Sequence, residues 1–484
     1  MKLPEQLYTT DQVRELDRIA IEDYGIKGLC LMERAGWSVF QTLKQHYPTA
    51  QNIVVVCGVG NNAGDGYVVA RLASISGLKV RVLQLGDITK LKGDALLTFQ
   101  HWQQVGGTVE KFEQLPKNID LIIDALFGTG LDRNIEGSWA QAIEQINLSQ
   151  TPVISVDIPS GINANTGAVQ GIAIQAQLTV SFMGLKVGFF TNQAVDYTGQ
   201  IIFDDLNIPS QIYQTIPHFI RRLHLQQFLP RQKSSHKGNF GHVLIVGGEM
   251  GMSGAVRLAG EAAARVGAGK VSIATREIHS SFLNLQRPEL MVHPVETAED
   301  LKMLISRCDV IAIGTGLGQN AWGEMLLSGV LHSNKPLILD ADALNLLAKN
   351  PQTLQNAIIT PHPTEAARLL QLSTADIQNN RFQSAEQLFQ KYRATCVLKG
   401  AGTIICSEKG LSLCDKGNAG LASGGTGDVL TGVIAGLVAQ GFDLISAAEQ
   451  GVCLHANAAD LAAQNGERGL LASDLFLYLK QLVN

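Results

Sequence analysis

The chain has 484 residues, which is too long for one ordinary domain, so two or three domains are expected. Hydrophobic residues make up 45% and charged residues 17% of the chain, which is typical of a globular protein with large cores and excludes a disordered one. The net charge of −5 gives no sign of a nucleic-acid partner.

Compartment and membrane signals are weak throughout the chain. The seven cysteines form no CxxC pair, and we expect them to be buried in a reducing compartment. The start, MKLPEQLYTTDQVRELD, has no apolar core of signal-peptide length. The longest apolar run, residues 429–439, falls short of the ~20 residues that cross a bilayer. We predict a soluble cytoplasmic protein with no membrane partner.

The first half of the chain predicts helices over residues 9–46 and a strand at 52–57 that leads into a glycine-rich loop at 58–66. This order is the nucleotide-site arrangement of doubly wound sheets, but the spacing is neither GxGxxG nor a GxxxxGK[ST] phosphate loop. Asn61, Asn62 and Asp65 offer side-chain oxygen for hydroxyl groups or for a hard monovalent cation. A plain asparagine-rich turn is the alternative.

Further strands are predicted at residues 80–85, 121–125, 153–158 and 178–182. Asp124, Asp157 and Ser160 follow the ends of these strands, where an open parallel sheet forms its ligand crevice. Asp157 is the best candidate for proton transfer, while Asp124 could instead be a capping residue. Residues 210–235 are predicted to be a connector, and its basic residues either form a solvated linker or help to hold a phosphorylated ligand.

The second half repeats the strand, loop and helix pattern. Strands are predicted at residues 242–248, 309–313, 336–340, 357–360, 396–398 and 403–406, with a small-residue helix at 253–266. The predicted fold class is therefore α/β, with two domains at residues 1–220 and 225–484.

A glycine run ending in one carboxylate, Gly424 to Asp428, precedes an apolar segment of helical length. Glycines let backbone N–H groups converge, and a helix starting near Gly427 adds its positive dipole end, which together make a site for a phosphate-sized anion. A carboxylate is a poor anion ligand, so Asp428 is predicted to accept a proton. The alternative is a loop rich in glycine only for close packing.

Two sets of motifs resemble those of known families. The first set lies within residues 236–440 and comprises HKGNFG, GTGLG, DADALN, TPHPTE, KGAGT and NAGLASGGTGDVLTGVIAGL. It resembles the ADP/ATP-dependent NAD(P)H-hydrate dehydratases, relatives of ribokinase-like kinases. The second set, GVGNNAGDGYVVARL, DALFGTGL and VDIPSG, resembles the NAD(P)H-hydrate epimerases, although Ala63 stands where that family often has glycine.

The resemblance implies a Rossmann-like three-layer αβα epimerase domain fused to a ribokinase-like α/β dehydratase domain. The first would interconvert the R and S hydrates of NADH and NADPH. The second would dehydrate the S form with ADP, or with ATP in some members, releasing AMP and phosphate. The implied chain is an isomerase and a lyase that binds these small molecules as a homo-oligomer, with no nucleic acid.

For the epimerase domain, the resemblance also implies site residues. Potassium would lie on Asn62, Asp124 and Ser160, and Asp157 would be a catalytic acid or base. The substrate would contact Asn61, Asn62, Ala63, Gly64, Asp65, Gly128, Thr129, Gly130, Leu131, Asp132, Arg133, Asn134 and Asp157.

For the dehydratase domain, Asp428 would be the catalytic base and a magnesium ion would accompany the nucleotide, with no carboxylate cluster to name its ligands. The hydrate would contact Ala255, Gly316, Gly318, His362 and Asp428, with His362 as a packed loop residue in the alternative. The nucleotide would contact Lys399, Gly400, Ala401, Gly402, Thr403 and Gly427.

Two other functions stay open at this point. A ribokinase-like kinase of a small hydroxymethyl compound also needs an anion site and a base, but it would release a stable phosphoester. A dinucleotide-sensing or scaffold module would bind its ligand without turnover.

Overall fold

The computed structural model describes residues 3–216 and 219–484. The chain divides into two compact units, Met1–Arg221 and Arg222–Asn484. Both consist of parallel β-sheets covered by helices, which confirms the predicted α/β class.

The N-terminal unit contains the first nine strands and begins a tenth. The strands are β1 (Gln6–Tyr8), β2 (Asn52–Cys57), β3 (Lys79–Gln84), β4 (Val109–Lys111), β5 (Leu121–Ala125), β6 (Val153–Val156), β7 (Leu178–Phe182), β8 (Leu185–Lys186), β9 (Gln200–Asp204) and β10 (Ile220–Arg222). The α-helices are α1 (Thr10–Arg18), α2 (Gly28–His46), α3 (Asn61–Ile75), α4 (Gly93–Gln104) and α5 (Gly137–Leu148).

The main sheet of this unit has the order β4-β3-β2-β5-β6-β7-β9, and every neighbouring pair is parallel. Both faces are buried, because Ile53 and Val55 of β2 pack into one core while Val54 and Val56 pack into another. Doubly covered parallel strands require continuous apolar runs, which is why these strands are recognisable in the sequence. The order reverses at β2, so the loops after β2 and β5 flank the crevice where such sheets bind ligands.

Several predictions for this unit need correction. The predicted helical region 9–46 is interrupted, because α1 passes into a π-helical turn at Ile19–Asp23 before α2 begins. The predicted connector at residues 210–235 contains secondary structure, since a 3-10 helix spans Ser210–Thr215 and β10 follows. Strand β1 pairs antiparallel with β10 and parallel with β8, none of which was predicted. Cys30 is exposed, whereas the other six cysteines are buried as expected.

The C-terminal unit contains the remaining elements. Its strands are β11 (His242–Val246), β12 (Lys270–Thr275), β13 (Leu290–Pro294), β14 (Val310–Ile313), β15 (Leu337–Leu339), β16 (Ala357–Ile359), β17 (Thr395–Leu398), β18 (Thr403–Ser407) and β19 (Gly410–Cys414). Its α-helices are α6 (Ser253–Arg265), α7 (Glu277–Ser280), α8 (Ala298–Ile305), α9 (Ala321–Leu331), α10 (Ala341–Lys349), α11 (Pro363–Leu370), α12 (Thr374–Asn379), α13 (Arg381–Tyr392), α14 (Thr426–Ala439), α15 (Leu444–Ala462) and α16 (Leu475–Leu482).

Within this unit the strand order is β13-β12-β11-β14-β15-β16-β17-β18-β19. Pairing is parallel from β13 to β17, and β18 and β19 then add antiparallel. The order reverses at β11, so the loops after β11 and β14 meet at the switch point of the sheet. The basic run at the start of the unit is not one patch, because Arg222 pairs with Asp415 and Arg231 stacks on Phe240.

Candidate active sites

The glycine-rich segment after β2 is mostly helix, contrary to the predicted loop of residues 58–66. Helix α3 begins at Asn61, so Asn62, Ala63 and Gly64 lie in its first turn and are buried. A Cβ on Gly64 would lie 2.5 Å from Met32 Sδ, so this glycine serves close packing. The segment is therefore a fixed helical start, and Ala63 costs it no required backbone freedom.

Asp124 is fully buried and lies near the carboxyl end of β5. Its Oδ1 accepts hydrogen bonds from Ser160 Oγ (2.6 Å) and Leu126 N (3.2 Å), and its Oδ2 accepts from Ser155 Oγ (2.8 Å) and Ser160 N (2.9 Å). Burial raises the pKa of Asp124 although these donors oppose the shift. The structure thus joins two of the three predicted potassium ligands, Asp124 and Ser160.

Asn62 is the third predicted ligand, and its amide is incompletely satisfied. Within residues 3–216 and 219–484, Asn62 Nδ2 is a buried atom with no hydrogen-bond partner. Asn62 Oδ1 lies 3.5 Å from where a Cβ on Gly128 would stand, and the neighbouring Phe127 N donates to Ser160 Oγ at 2.9 Å. The start of α3 therefore lies against the loop after β5, and Ser160 contacts that loop as well.

Asp157 follows β6 in a left-handed conformation, with φ of +66°. Lys186 Nζ contacts its Oδ1 and also donates to Ser181 Oγ (3.0 Å) and to the carbonyl of Phe182 (3.1 Å). Lys186 is only 1% exposed. Reasoning from the sequence missed this lysine, and its only signal was one cation inside the apolar segment SFMGLKVGFF.

Two more carboxylates share the field of this ion pair. Burial raises the pKa of Asp17, in α1, to about 6, and Lys186 opposes the shift while Asp157 adds to it. Burial also raises the pKa of Asp65 well above its usual range, with Asp157 and Asp17 adding to the shift. Asp65 was predicted from the sequence and Asp17 was not. One buried ammonium therefore faces three carboxyl groups.

The remaining predicted epimerase residues form the segment that leaves β5. Thr129 and Leu131 are half-buried, whereas Gly130 and residues 132–134 are exposed. The segment is fixed at its end, where Ile135 N donates to the carbonyl of Gln170 at 3.0 Å. Its side chains are thus available to a ligand in the crevice.

In the C-terminal unit, α14 begins at Thr426, one residue before the predicted start. Gly425 provides the N-cap with φ of +92°, and a Cβ there would lie 2.6 Å from Leu258 Cδ1. This position therefore requires glycine both for its dihedral angle and for packing. Asp428 lies in the first turn of the helix, as predicted.

Asp428 is half-buried beside a charged pair that the sequence reasoning did not assign. Lys399 Nζ lies 2.7 Å from Asp340 Oδ1, and Asp340 Oδ2 accepts from Thr431 Oγ1 at 2.9 Å. Burial and the charge of Asp340 raise the pKa of Asp428 to about 7, and Lys399 opposes the shift. A carboxyl group in this state can take up a proton near neutral pH.

Glu365 completes this cluster from the start of α11. Its Oε2 lies 4.0 Å from Lys399 Nζ and accepts from His362 N at 2.8 Å. Burial raises the pKa of Glu365 to about 7, which Lys399 opposes and Asp340 assists. Burial would lower the pKa of Lys399, but Asp340 and Glu365 outweigh it and raise that pKa.

His362 has a structural role at the start of α11, as its N-cap residue. Its Nδ1 accepts the N–H of Thr364 at 3.1 Å and so caps α11, while Nε2 lies 3.3 Å from Glu365 Oε1. Burial and then the charge of Lys399 lower the pKa of His362, so the ring is neutral at neutral pH. The side chain is 46% exposed, so it can also contact a ligand.

The loop after β14 carries the other predicted hydrate-binding residues. Gly316 and Gly318 have φ of +57° and +74°, and a Cβ on Gly316 would lie 3.2 Å from that of Ala255. Gly318 N donates to Asp342 Oδ2 at 2.9 Å, and Glu249 N donates to the carbonyl of Gly316 at 2.6 Å. The structure therefore brings these three predicted residues together and shows that Glu249 and Asp342 fix the loop.

The segment Lys399–Thr403 forms the turn between β17 and β18. Lys399 N donates to the carbonyl of Pro361 at 2.9 Å, and Thr403 Oγ1 donates to that of Gly400 at 3.2 Å. A Cβ on Gly427 would lie 3.4 Å from Lys399 Nζ. The two predicted parts of the nucleotide site, this turn and Gly427, therefore adjoin each other.

Comparison with known proteins decides the family. The chain is 46% identical over 485 residues to the bifunctional NAD(P)H-hydrate repair enzyme Nnr of Coxiella burnetii, covering 99% of each chain. This chain belongs to the bifunctional NAD(P)H-hydrate repair enzyme family. The family member of Escherichia coli strain K12, with the same name, is 44% identical over 490 residues, covering 100% of this chain and 95% of its own.

Two family models each match a different half of the chain. The model described as YjeF-related protein N-terminus matches residues 28–188, and the model described as NAD(P)H-hydrate dehydratase matches residues 243–481. The ADP/ATP-dependent NAD(P)H-hydrate dehydratase of Bacillus subtilis, co-crystallised with ATP and Mg²⁺, is 32% identical with a TM-score of 0.48, covering 53% of this chain and 93% of its own.

The resemblance predicted from the motifs is therefore confirmed for the whole chain. In the part of the chain that the structure describes, no helix is both long and apolar enough to cross a membrane.

Proposed function

We propose that this chain repairs hydrated NADH and NADPH, as the names of its relatives indicate for them. The N-terminal unit interconverts the R and S hydrates, and the C-terminal unit dehydrates the S form with ADP. The observation that carries the proposal is the position of Asp428, with its pKa near 7, at a glycine-led helix start beside Lys399.

The proposed dehydration solves a leaving-group problem. Asp428 takes the proton from the hydroxyl group on C6 of the nicotinamide ring, and the hydroxyl oxygen attacks the terminal phosphorus of ADP. The bond from that phosphorus to the bridging oxygen breaks, and AMP leaves. The lone pair of the ring nitrogen then expels phosphate from C6, and loss of a proton from C5 restores the dihydropyridine.

The helix start supports the transfer step electrostatically. The first N–H groups of α14 have no partner within the helix, and its dipole places partial positive charge at Gly425–Gly427. Lys399 adds a full positive charge next to Gly427. These groups are in place before charge develops on the transferred phosphoryl group, which is the arrangement that lowers a barrier most.

Magnesium is proposed to accompany the nucleotide. Among the described residues, no three His, Cys, Asp or Glu side chains form a metal cage. A nucleotide-bound magnesium ion needs only one or two carboxylates, because phosphate and water supply its other ligands. Glu365 is buried, lies 4.0 Å from Lys399 Nζ and fits such a role. The ion would neutralise charge on the phosphates.

The proposed epimerisation opens and recloses the ring at C6. Asp157 takes the hydroxyl proton and delivers it to N1 as the C6–N1 bond breaks, leaving an aldehyde and an N–H group. The buried Lys186 holds Asp157 in place for this step. Rotation before closure gives the other epimer.

Potassium is proposed at Asn62, Asp124 and Ser160. The oxygen-rich surroundings of Asp124 fit a hard cation. Asn62 Nδ2 has no hydrogen-bond partner, and the amide oxygen and nitrogen of asparagine are assigned from their partners. Turning the Asn62 amide over would therefore present its oxygen to the ion. The ion would supply positive charge at the crevice floor.

The homo-oligomeric state and the cytoplasmic location also stay predictions.

An assay with mixed R and S hydrates tests the proposal. Without ADP, we expect the purified chain to equilibrate the two epimers and no more. With ADP and Mg²⁺, both should disappear as reduced nicotinamide absorbance returns. A stable phosphoester product would instead identify a kinase, and binding without turnover would identify a sensing module.

A further inference from the structure

Arg381, the first residue of α13, is an unusual buried cation beneath the turn Lys399–Thr403. Its side chain is 2% exposed. Its Nη2 donates to the carbonyls of Gly402 (3.0 Å) and Leu398 (3.4 Å), and its Nη1 donates to that of Lys399 (3.4 Å). The guanidinium group therefore holds the turn from below at three points.

Among the described residues, no carboxylate compensates the charge of Arg381. Across residues 3–216 and 219–484, no carboxylate lies within 4.0 Å of it, and its Nε has no hydrogen-bond partner. Burial lowers the pKa of Arg381 to about 10, so the group is still protonated at neutral pH. Buried charges in proteins are normally paired, and a cation in the first turn also opposes the helix dipole.

The contacts of Arg381 also orient the turn. In a trans peptide the carbonyl and the following N–H point in opposite directions, so the Gly400 N–H points away from Arg381. Gly400 has φ of +138°, and a Cβ there would lie 2.4 Å from Arg381 Nη1. Gly400 and Ala401 are exposed. Arg381 thus holds three carbonyls on the inner side of the turn and leaves the Gly400 N–H on the opposite side, while the Lys399 N–H donates to Pro361.

We propose that Arg381 is a positioning residue that makes the turn Lys399–Thr403 a site for the phosphate groups of a nucleotide. Its uncompensated charge is balanced when a nucleotide phosphate binds above the turn, and its contacts to the turn carbonyls, that of Lys399 among them, hold the Gly400 N–H in place for that anion. This inference rests on the proposed function, in which the turn binds the nucleotide. It adds that affinity depends on phosphate charge and on a side chain below the turn.

Binding of ADP, AMP and adenosine to the full chain tests the inference, using calorimetry on the wild type and on Arg381→Met. The variant keeps the length of the side chain and removes its charge. We expect the affinity for ADP and AMP to fall by about tenfold or more, and that for adenosine to change little. Arg307→Met, which removes an exposed arginine of the same unit, should leave all three affinities unchanged.

An equal loss for adenosine and ADP, or no loss for either, would overturn the inference. If Arg381→Met does not fold, Arg381→Lys supplies the test, because a buried lysine loses its proton far more readily than arginine. ADP affinity of that variant should then fall more steeply with rising pH than that of the wild type, and parallel profiles would refute the role. A wild type that binds no ADP would instead refute the proposed function.

Discussion

Lys399 lies in an ion pair with Asp340, 2.7 Å from Nζ to Oδ1, next to the carboxyl group that we propose as the base. Asp340 raises the pKa of Asp428 and Lys399 lowers it. The pair therefore adjusts the proton affinity of Asp428 from both directions, and two predictions follow from this placement.

The dehydration rate should rise with pH through about 7, because Asp428 acts in its deprotonated form and its pKa is about 7. Lys399→Met removes the charge that lowers this pKa, so the midpoint of the pH–rate profile should move upward. The profile for epimerisation by the same variant serves as the control. A midpoint that stays in place would show that Lys399 does not act on the base.

Substitution of the two proposed acid–base residues should separate the two activities. Asp157→Asn should abolish interconversion of R and S hydrates and leave dehydration of the S form intact. Asp428→Asn should do the reverse. Chromatography of the epimers with and without ADP measures both reactions in one sample, and a folded single variant that loses both activities contradicts the division of labour.

Lys186→Met should destabilise the N-terminal unit by roughly 3 kcal/mol or more, since removing one partner of a buried pair leaves an uncompensated charge. It should also slow epimerisation, because Asp17, Asp65 and Asp157 lose their shared cation. Chemical denaturation and the epimer assay measure the two effects. Arg14→Met, at an exposed helical pair, is the control and should change neither. A stable, fully active Lys186→Met variant would refute the assigned role.

The contribution of His455 to the stability of the C-terminal unit should fall on acidification below pH 6.5. Burial lowers the pKa of His455 from 6.5 to about 4, so between these values the unfolded chain binds a proton that the folded chain does not. Stability from this group is therefore complete above pH 6.5 and is lost as the pH falls toward 4, a change on the order of 3 kcal/mol.

The difference between wild type and His455→Gln isolates this contribution from that of the other titrating groups. The unfolding free energy of the wild type minus that of the variant, measured by urea denaturation between pH 4 and 8, should decrease by about 3 kcal/mol as the pH falls. If the difference is constant over this range, the buried histidine is not the cause of the pH dependence.

Gly432→Ala should destabilise the C-terminal unit by about 1–3 kcal/mol or more through overpacking. A Cβ at Gly432 in α14 would lie 2.0 Å from the carbonyl oxygen of Ala259 in α6, so the two helices must move apart. The matched control is Gly254→Ala in α6, where nothing lies within 4 Å and alanine favours the helix. In thermal unfolding experiments, only Gly432→Ala should lower the midpoint temperature. Equal midpoint temperatures for the two variants would refute the close packing.

Much of the fold could be predicted from the sequence because its central strands are buried on both faces. The predicted strands at 52–57, 121–125 and 178–182 match β2, β5 and β7. The edge and short strands β1, β4, β8, β9, β10, β13 and β19 were missed, because they lack a long apolar run or depend on pairing partners far along the chain.

The sequence indicated Asp124 at the end of a buried strand and Asp428 at the end of a glycine run. The partners that determine their chemistry were not predictable. Lys186 had only the weak signal of one cation in an apolar segment, and Arg381 had none that we recognised, since the burial of each results from tertiary packing. The left-handed conformations of Asp157 and Ala341, with φ of +66° and +46°, likewise depend on the surrounding structure.

The stoichiometry of dehydration tests the central claim most directly. The full chain would be given S hydrate, Mg²⁺ and ADP, and AMP, orthophosphate and reduced dinucleotide would be counted together. We predict one of each for every hydrate consumed, because phosphate passes to the hydroxyl group before it leaves. Restoration of the reduced dinucleotide without formation of AMP, or a phosphorylated hydrate that accumulates and is not dehydrated, would contradict the account.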